Sequence, residues 1–464
     1  MTSSLLVALR VLWRRSAQER SCRWTRAELQ RHQQESSAAI RRYAMDHSQF
    51  YARFHRGLTN RPLQDLPILT KATVMENFDD LVTDRAVRFA DVEAFLKKES
   101  GPKLYLDRYV VLATSGSTGR RGVFLFNQEE WMAGVAAITR PLLWAGITRR
   151  FGRPPRTALI ASTTSWHYSA RIGAMLTNRM LPSLRLDAAE PVESMVRRLN
   201  EWQPENLAGY PSVLRQLAEE QIAGRLHLKL SSAATSAEVL TEETRRRAKE
   251  AWGIRVFDTY GATEYSPIAA ECEQGRKHLF EDGAVIEVVD EKGRSVPPGE
   301  AGERILFTVF NRTTMPLIRY EISDVVRVVE EPCPCGRPFH VIEAVEGRAE
   351  DVLFFSRCNG NSEPVAVHPN VFHQALELVP SSGWQVVQDE AGLTVRMTGL
   401  QDAAICGQVE ASLARLLKEQ GALVASLRAV QVDVLERGAS GKAPLILSRL
   451  KGKLGMSVPH APSS

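Results

Sequence analysis

Between Tyr109 and Tyr260 short apolar runs alternate with helical stretches, and no other feature limits the fold of the chain as tightly. Residues 109–116 (YVVLATSG) read as a buried-type strand that opens into a Gly/Ser/Thr turn, and 128–145 then reads as helix. Strands follow at 157–163 (TALIAST), 205–210 (ENLAGY), 227–235 (HLKLSSAAT) and 254–260 (IRVFDTY), with helices at 211–224 and 236–252. Pro211 stands near the first turn of its helix, where its missing N–H costs nothing. Strands separated by helices of this length predict a parallel sheet covered by helices, an α/β fold.

The period changes on either side of this region. Residues 1–60 read as helical, and 29–51 carry apolar residues at three-to-four spacing without Pro or Gly. After about 280 the period falls to two. AVIEVVD (284–290) and RILFTVF (304–310), separated by a Lys-Gly-Arg turn, predict antiparallel β. From about 350 a smaller α+β segment follows, with strands near 364–368, 384–388 and 393–398 and a helix near 405–420. The expected organisation is a large unit over 1–348 and a small C-terminal unit over 349–464.

Composition narrows the class. The chain has 464 residues, 44% apolar and 24% charged, ample for large buried cores. Its net charge of +5 is too small to suggest nucleic acid, although anionic ligands stay open. Six cysteines (Cys22, Cys272, Cys333, Cys335, Cys358, Cys406) are too few for a secreted disulfide scaffold, and a reducing cytoplasm is expected. The apolar run 5–13 is broken by Arg10 and precedes its positive charges, so it does not read as a signal peptide. No stretch is long enough for a membrane span. That run reads either as a helix packed on the protein or as an amphipathic surface helix with Arg14 and Arg15 at a membrane face.

Four motifs carry chemistry. TSGSTGRRG (114–122) follows a strand with glycines, hydroxyls and backbone N–H groups suited to a phosphate, yet it lacks the Gly-Lys-Ser/Thr of a Walker A loop. YGATE (260–264) ends another strand with a ring, a hydroxyl and a carboxylate, so Glu264 is a candidate Mg²⁺ ligand. RYEISD (319–324) sets Asp324 beside a strand, where a carboxylate can take both ribose hydroxyls, and GRAED (347–351) adds Arg348. GASGKAP (438–444) presents Lys442 among small residues. Singly, each also fits an ordinary solvated loop.

In this order, and with the lead-in LPILTKATVMENFDDL (66–81), the motifs resemble the adenylate-forming superfamily. The similarity is greatest to its phenylacetate–CoA ligase branch and the related capsule-biosynthesis (CapK-like) proteins. The resemblance implies a large AMP-binding domain with parallel sheets and an antiparallel β subdomain, and a small mobile C-terminal domain. It implies activation of a carboxylic acid by ATP to an acyl-adenylate, then transfer to a thiol, most simply coenzyme A. Carried over by motif, Thr114, Ser115, Gly116, Ser117, Thr118 and Gly119 would cradle the β- and γ-phosphates. Tyr260 would stack on adenine beside Gly261, Thr263 would meet the α-phosphate, and Glu264 would hold Mg²⁺. Asp324 would take the ribose hydroxyls with Arg348 close by. Lys442 would bridge the substrate carboxylate and α-phosphate, and Asp351 would be the hinge.

Cys272, His278, Cys333 and Cys335 also fit the branch, as three thiolates and an imidazole for a structural zinc ion. Reduced loop cysteines are the alternative. The acyl pocket would lie near Trp166, His167, Tyr168 and Tyr210, which suits an aryl or arylacetic acid, although aromatic side chains line most apolar pockets. His167 reads equally as a hydrogen-bonded cleft histidine. After GRAED the sequence departs from the phenylacetate enzymes, with VLFFSRCNGNSEPVAVHPNVF at 352–372. Acceptors other than CoA therefore stay open: a carrier protein, an amine or a sugar in a polysaccharide or specialised-metabolite pathway. A pseudoenzyme that binds nucleotide is disfavoured, since Thr263, Glu264, Asp324 and Lys442 all retain the residue types the reaction needs. Relatives often pair through the large domain, which leaves a homodimer open.

Overall fold

The computed structural model describes residues 2–98, 103–114, 121–144, 155–176, 182–343, 353–357, 365–367, 369–376, 379–402, 404–437 and 443–450. Ser115 to Gly119, Arg348, Asp351 and Lys442 therefore lie outside the described residues. The chain opens with α1 (Thr2–Ser21), α2 (Arg26–His47) and α3 (Gln49–Phe54). Thr25 starts α2 with a capping box: its hydroxyl accepts from the Glu28 amide, and Glu28 accepts from the Thr25 amide. The helix expected across 29–51 is broken at Ser48. That residue is extended, and its hydroxyl accepts from the Tyr51 N–H to start α3. Helix α1 lies on the protein: Arg140 donates to the Gln18 carbonyl, and Arg14 pairs with Glu129. Among the described residues no helix is long and apolar enough to cross a membrane.

After α4 (Lys71–Glu76), α5 (Phe78–Leu81) and α6 (Phe89–Lys98) comes the first departure from the predicted parallel order. Strand β1 (Tyr109–Ala113) pairs antiparallel with β2 (Val123–Asn127), with Ala113 opposite Val123, outside the main sheet. The connection over 114–122 is shorter than the dozen or so residues a parallel crossover needs, so the chain can only fold back.

The main sheet is built next, from α7 (Gln128–Trp144), β3 (Thr157–Ala161), α8 (Tyr168–Leu176), β4 (Ser183–Asp187), α9 (Val192–Trp202), β5 (Asn206–Gly209), α10 (Pro211–Ile222), β6 (Ser232–Ser236), α11 (Glu242–Trp252) and β7 (Val256–Tyr260). Its parallel part runs β4-β3-β5-β6-β7; β3, β5, β6 and β7 match the expected strands, and β4 is an additional edge strand. Helix α11 starts at Glu242, later than its spacing suggests. Ala237 has φ 73°, a left-handed conformation foreign to a helix interior, and Thr241 supplies the cap by accepting from the Thr244 amide.

Strands β8 (Ala269–Glu271) and β9 (Lys277–Leu279) extend the sheet antiparallel. The chain then forms β10 (Ala284–Val289), β11 (Ala301–Gly302), β12 (Arg304–Val309), β13 (Tyr320–Ile322) and β14 (Val326–Arg327) before β15 (Val341–Ile342) returns to pair with β9. β10, β12 and β13 form the expected antiparallel sheet. The rest comprises β16 (Leu353–Arg357), β17 (Val365–Val367), α12 (Pro369–Leu376), β18 (Gly383–Asp389), β19 (Gly392–Thr398), α13 (Ala404–Glu419), β20 (Ala422–Leu423), β21 (Leu427–Gln431) and β22 (Ile446–Ser448).

Separate apolar clusters hold these layers. Phe124, Phe307 and Tyr320 join β2 to the antiparallel sheet. Ile160, Leu207, Leu214 and Leu217 pack α10 on the parallel strands. Phe372, Val386, Val395 and Leu413 form a third core within 353–446. Each such side chain contributes about 1.5–3 kcal/mol on full burial.

Candidate functional site

In a parallel sheet every strand presents its carboxyl end at the same edge, and ligands bind there. Here that edge carries Ser162 to Tyr168 after β3, Tyr210 after β5, Glu238 after β6 and the YGATE segment after β7. Hydrogen bonds tie these loops together. Tyr168 Oη donates to the Ser266 carbonyl at 3.2 Å, linking the loop after β3 to the one after β7. The Ala113 amide donates to the Trp166 carbonyl at 3.0 Å, fixing the base of the 114–122 loop beside them. Thr114 closes that base: its amide donates to the Gly122 carbonyl and its hydroxyl accepts from the Gly122 amide, both at 2.9 Å. The Arg121 guanidinium lies 4.6 Å from the centre of the Trp166 ring.

Two contacts join motifs far apart in sequence. Tyr260 Oη donates to Asp324 Oδ2 at 2.5 Å, so the ring and the carboxylate expected to hold a nucleoside share one place. Tyr320 Oη donates to Glu264 Oε1 at 3.0 Å. Glu264 is only 6% exposed, and a buried carboxylate of this kind suits a hard cation with oxygen ligands. Gly261 packs against Ser266, whose Oγ would sit 2.4 Å from an added Cβ, so a side chain there would displace the turn.

The acid-side residues are placed unequally. His167 Nδ1 meets Ser162 Oγ at 2.6 Å, which fits the reading of a hydrogen-bonded histidine at the cleft. Tyr210 is 2% exposed, and its phenol oxygen accepts from the Ser162 amide at 3.1 Å, so its ring is part of the core behind the loop. Tyr168 makes an edge contact with Trp131, which makes another with Phe126. Arg312 was not singled out from the sequence. It is buried with its guanidinium 3.7 Å from the centre of the Phe126 ring, and Glu130 and Glu264 face it with opposite charge. Burial outweighs those carboxylates and brings its pKa down to about 10. Ser162 and Tyr320 were also missed as site residues, although Tyr320 lies inside the RYEISD string.

A second cluster lies where β8, β9 and β15 meet. The donor atoms of Cys272, His278, Cys333 and Cys335 all lie within 4.8 Å of one another. Cys272 Sγ is 3.7 Å from Cys333 Sγ, and Cys335 Sγ is 3.2 Å from His278 Nε2. Tetrahedral zinc with bonds of about 2.3 Å separates its sulfur ligands by ~3.8 Å, so the residues fit that ion. His278 Nδ1 donates to the Phe339 carbonyl at 3.1 Å, the tautomer that turns Nε2 toward the cysteines. Burial pushes the Cys333 thiol up to about 12, whereas the Arg337 amide and guanidinium outweigh burial at Cys335 and lower it.

A family model described as AMP-binding enzyme matches residues 34–307, more than half of the chain. The chain belongs to this family of AMP-binding enzymes. Its relatives within that family include phenylacetate-coenzyme A ligases and a CapK protein. The phenylacetate-coenzyme A ligase of Thermus thermophilus is 27% identical over 306 residues, 63% of this chain and 64% of that protein. Protein CapK of Staphylococcus aureus is 24% identical over 327 residues, 67% of this chain and 66% of its own. These matches span just under two thirds of the relatives' own length. Among solved structures, 2-hydroxyisobutyryl-CoA ligase in its postadenylation state, in complex with R3-HIB-AMP, superposes with a TM-score of 0.70 at 20% identity, covering 93% of this chain and 92% of that one. The fold is thus that of the adenylate-forming ligases.

Proposed function

We propose that this protein uses ATP to convert a carboxylic acid to an acyl-adenylate and then passes the acyl group to coenzyme A. The observation that carries the reading is the meeting of Tyr260 with Asp324 and of Glu264 with Tyr320 at the edge that also holds the base of the 114–122 loop. In this scheme Tyr260 stacks on adenine while Asp324 takes the ribose hydroxyls. The 114–119 amides and hydroxyls hold the β- and γ-phosphates, with Thr263 at the α-phosphate and Arg348 near the ribose. Glu264 would hold Mg²⁺, which would offset charge on the leaving pyrophosphate. Lys442 would deliver its ammonium to the substrate carboxylate and α-phosphate, where negative charge builds up as the carboxylate attacks.

The preferred acid in this reading is aryl or arylacetic, supported by the aromatic run Phe126, Trp131, Tyr168 and Trp166 beside the loop after β3. The four-residue Cys/His cluster would hold one structural zinc ion, since four protein ligands leave no open position for substrate. The test is ATP-dependent pyrophosphate release against aryl, arylacetic and fatty acids, with and without CoA. Release with aryl or arylacetic acids and thioester formation with CoA are expected. Pyrophosphate release that never yields a CoA thioester would shift the acceptor to a carrier protein, amine or sugar. Silence across the panel, with ATP still bound, would overturn the reading.

A further inference from the structure

Three polar side chains join the large sheet to the C-terminal core, and one of them reaches the loop that bears Lys442. Glu238 follows β6 at the ligand-binding edge. Its Oε1 accepts from the Ala443 amide at 2.8 Å, and its Oε2 accepts from the Ser212 amide in the first turn of α10 at 3.0 Å. Arg437, from the C-terminal segment, donates to the Ala188 carbonyl at 3.3 Å and to Gln216 Oε1 at 2.8 Å, and Glu238 also faces it with opposite charge. Arg215 of α10 is 4% exposed and donates to the Ser381 carbonyl across the same boundary.

The carboxylate of Glu238 is aimed by its backbone. Ala237, immediately before it, has φ 73°, a strained conformation for an alanine that survives only where the surroundings enforce it. The Ala443 nitrogen is bonded to the carbonyl carbon of Lys442, and consecutive Cα atoms are about 3.8 Å apart. Anchoring that amide therefore restrains the chain at the residue next to Lys442. A hydrogen bond to an ionised carboxylate is roughly twice as strong as a neutral one.

We propose that Glu238 is a positioning residue: it anchors the amide after Lys442 to the first turn of α10 and so holds the C-terminal core where the lysine meets the adenylation site. The proposal rests on the ligase reading for the role of Lys442, but the contact itself is independent of it. Glu238→Gln is the direct test, because an amide can accept at one oxygen only and turns a donor toward the other N–H.

In the full-length protein, hydrogen exchange at the Ala443 amide is expected to speed up about tenfold or more in this variant. Exchange in β6 and in α10 beyond its first turn should hold steady. Arg437→Gln, which removes the neighbouring contacts but keeps Glu238, should act in the same direction and serves if the first variant folds poorly. With whichever acid supports pyrophosphate release in the wild type, Glu238→Gln should slow adenylate formation about tenfold. Thioester formation from supplied acyl-adenylate should be unchanged. Unaltered exchange at Ala443, a rise spread evenly over the large sheet, or equal slowing of both half-reactions overturns the positioning role. The exchange measurement needs no acid. Absence of pyrophosphate release would therefore remove the ligase reading while exchange still decides the anchor.

Discussion

Tyr260 and Asp324 lie far apart in the chain, and neither motif alone stood apart from a solvated loop; only their order along the chain singled them out. What the sequence could not show is their direct hydrogen bond, which depends on how β7 and β13 are brought together. Ser162 was invisible for a related cause. A serine after a strand is commonplace, and only the fold reveals it holding both His167 and Tyr210. A different residue carries a prediction about acid. His55 is 1% exposed, and burial, helped by the nearby Arg41 charge, brings its pKa down to about 4 from the usual 6.5. Its neutral form is favoured in the fold, so its contribution is intact above pH 6.5 and is lost as pH falls toward 4. Between pH 7 and pH 4.5 the wild-type melting temperature should fall further than that of His55→Gln. Equal losses in thermal melts would show that His55 does not drive the acid sensitivity.

At the scale of elements, four of the five parallel strands, β3, β5, β6 and β7, were legible from alternation, because helices between apolar runs permit few arrangements, whereas β4 was not read. The antiparallel pairing of β1 with β2 was not read, although the shortness of the 114–122 connection dictates it. The Cys-Pro-Cys spacing was visible too, and its grouping with Cys272 and His278 came with the family resemblance; the pairing of β9 with β15, both too short to leave a periodic trace, is what brings them together. Purified protein is expected to contain about one zinc per chain. Chelation should lower the melting temperature by several degrees, because a metal held there would tie β8 and β9 to the loop before β15. Cys335→Ser should weaken zinc retention in metal analysis. Zinc-free protein with all four side chains freely reactive would rule the site out.

For the whole molecule, the proposed function assigns ATP binding to the carboxyl edge of the sheet and one lysine, Lys442, to the C-terminal segment. Lys442→Ala is therefore expected to cut adenylate formation by at least about a hundredfold, a loss of ~2.7 kcal/mol of transition-state stabilisation. Thioester formation from supplied acyl-adenylate should persist. Wild-type adenylation by that variant in single-turnover assays would show that the lysine was wrongly assigned.

The N-terminal helices add a consequence in time. Ser21 and Arg140 both bond to Asp282, Arg26 pairs with Glu281, and the Tyr51 hydroxyl donates to the Pro316 carbonyl. These helices thus wait for partners made some 250 residues later. At roughly 5–20 residues per second, that wait lasts from about ten seconds to nearly a minute on the ribosome. Throughout it the contacts of these helices with residues 281–316 are unmade, which leaves part of their buried surface open to chaperones during synthesis.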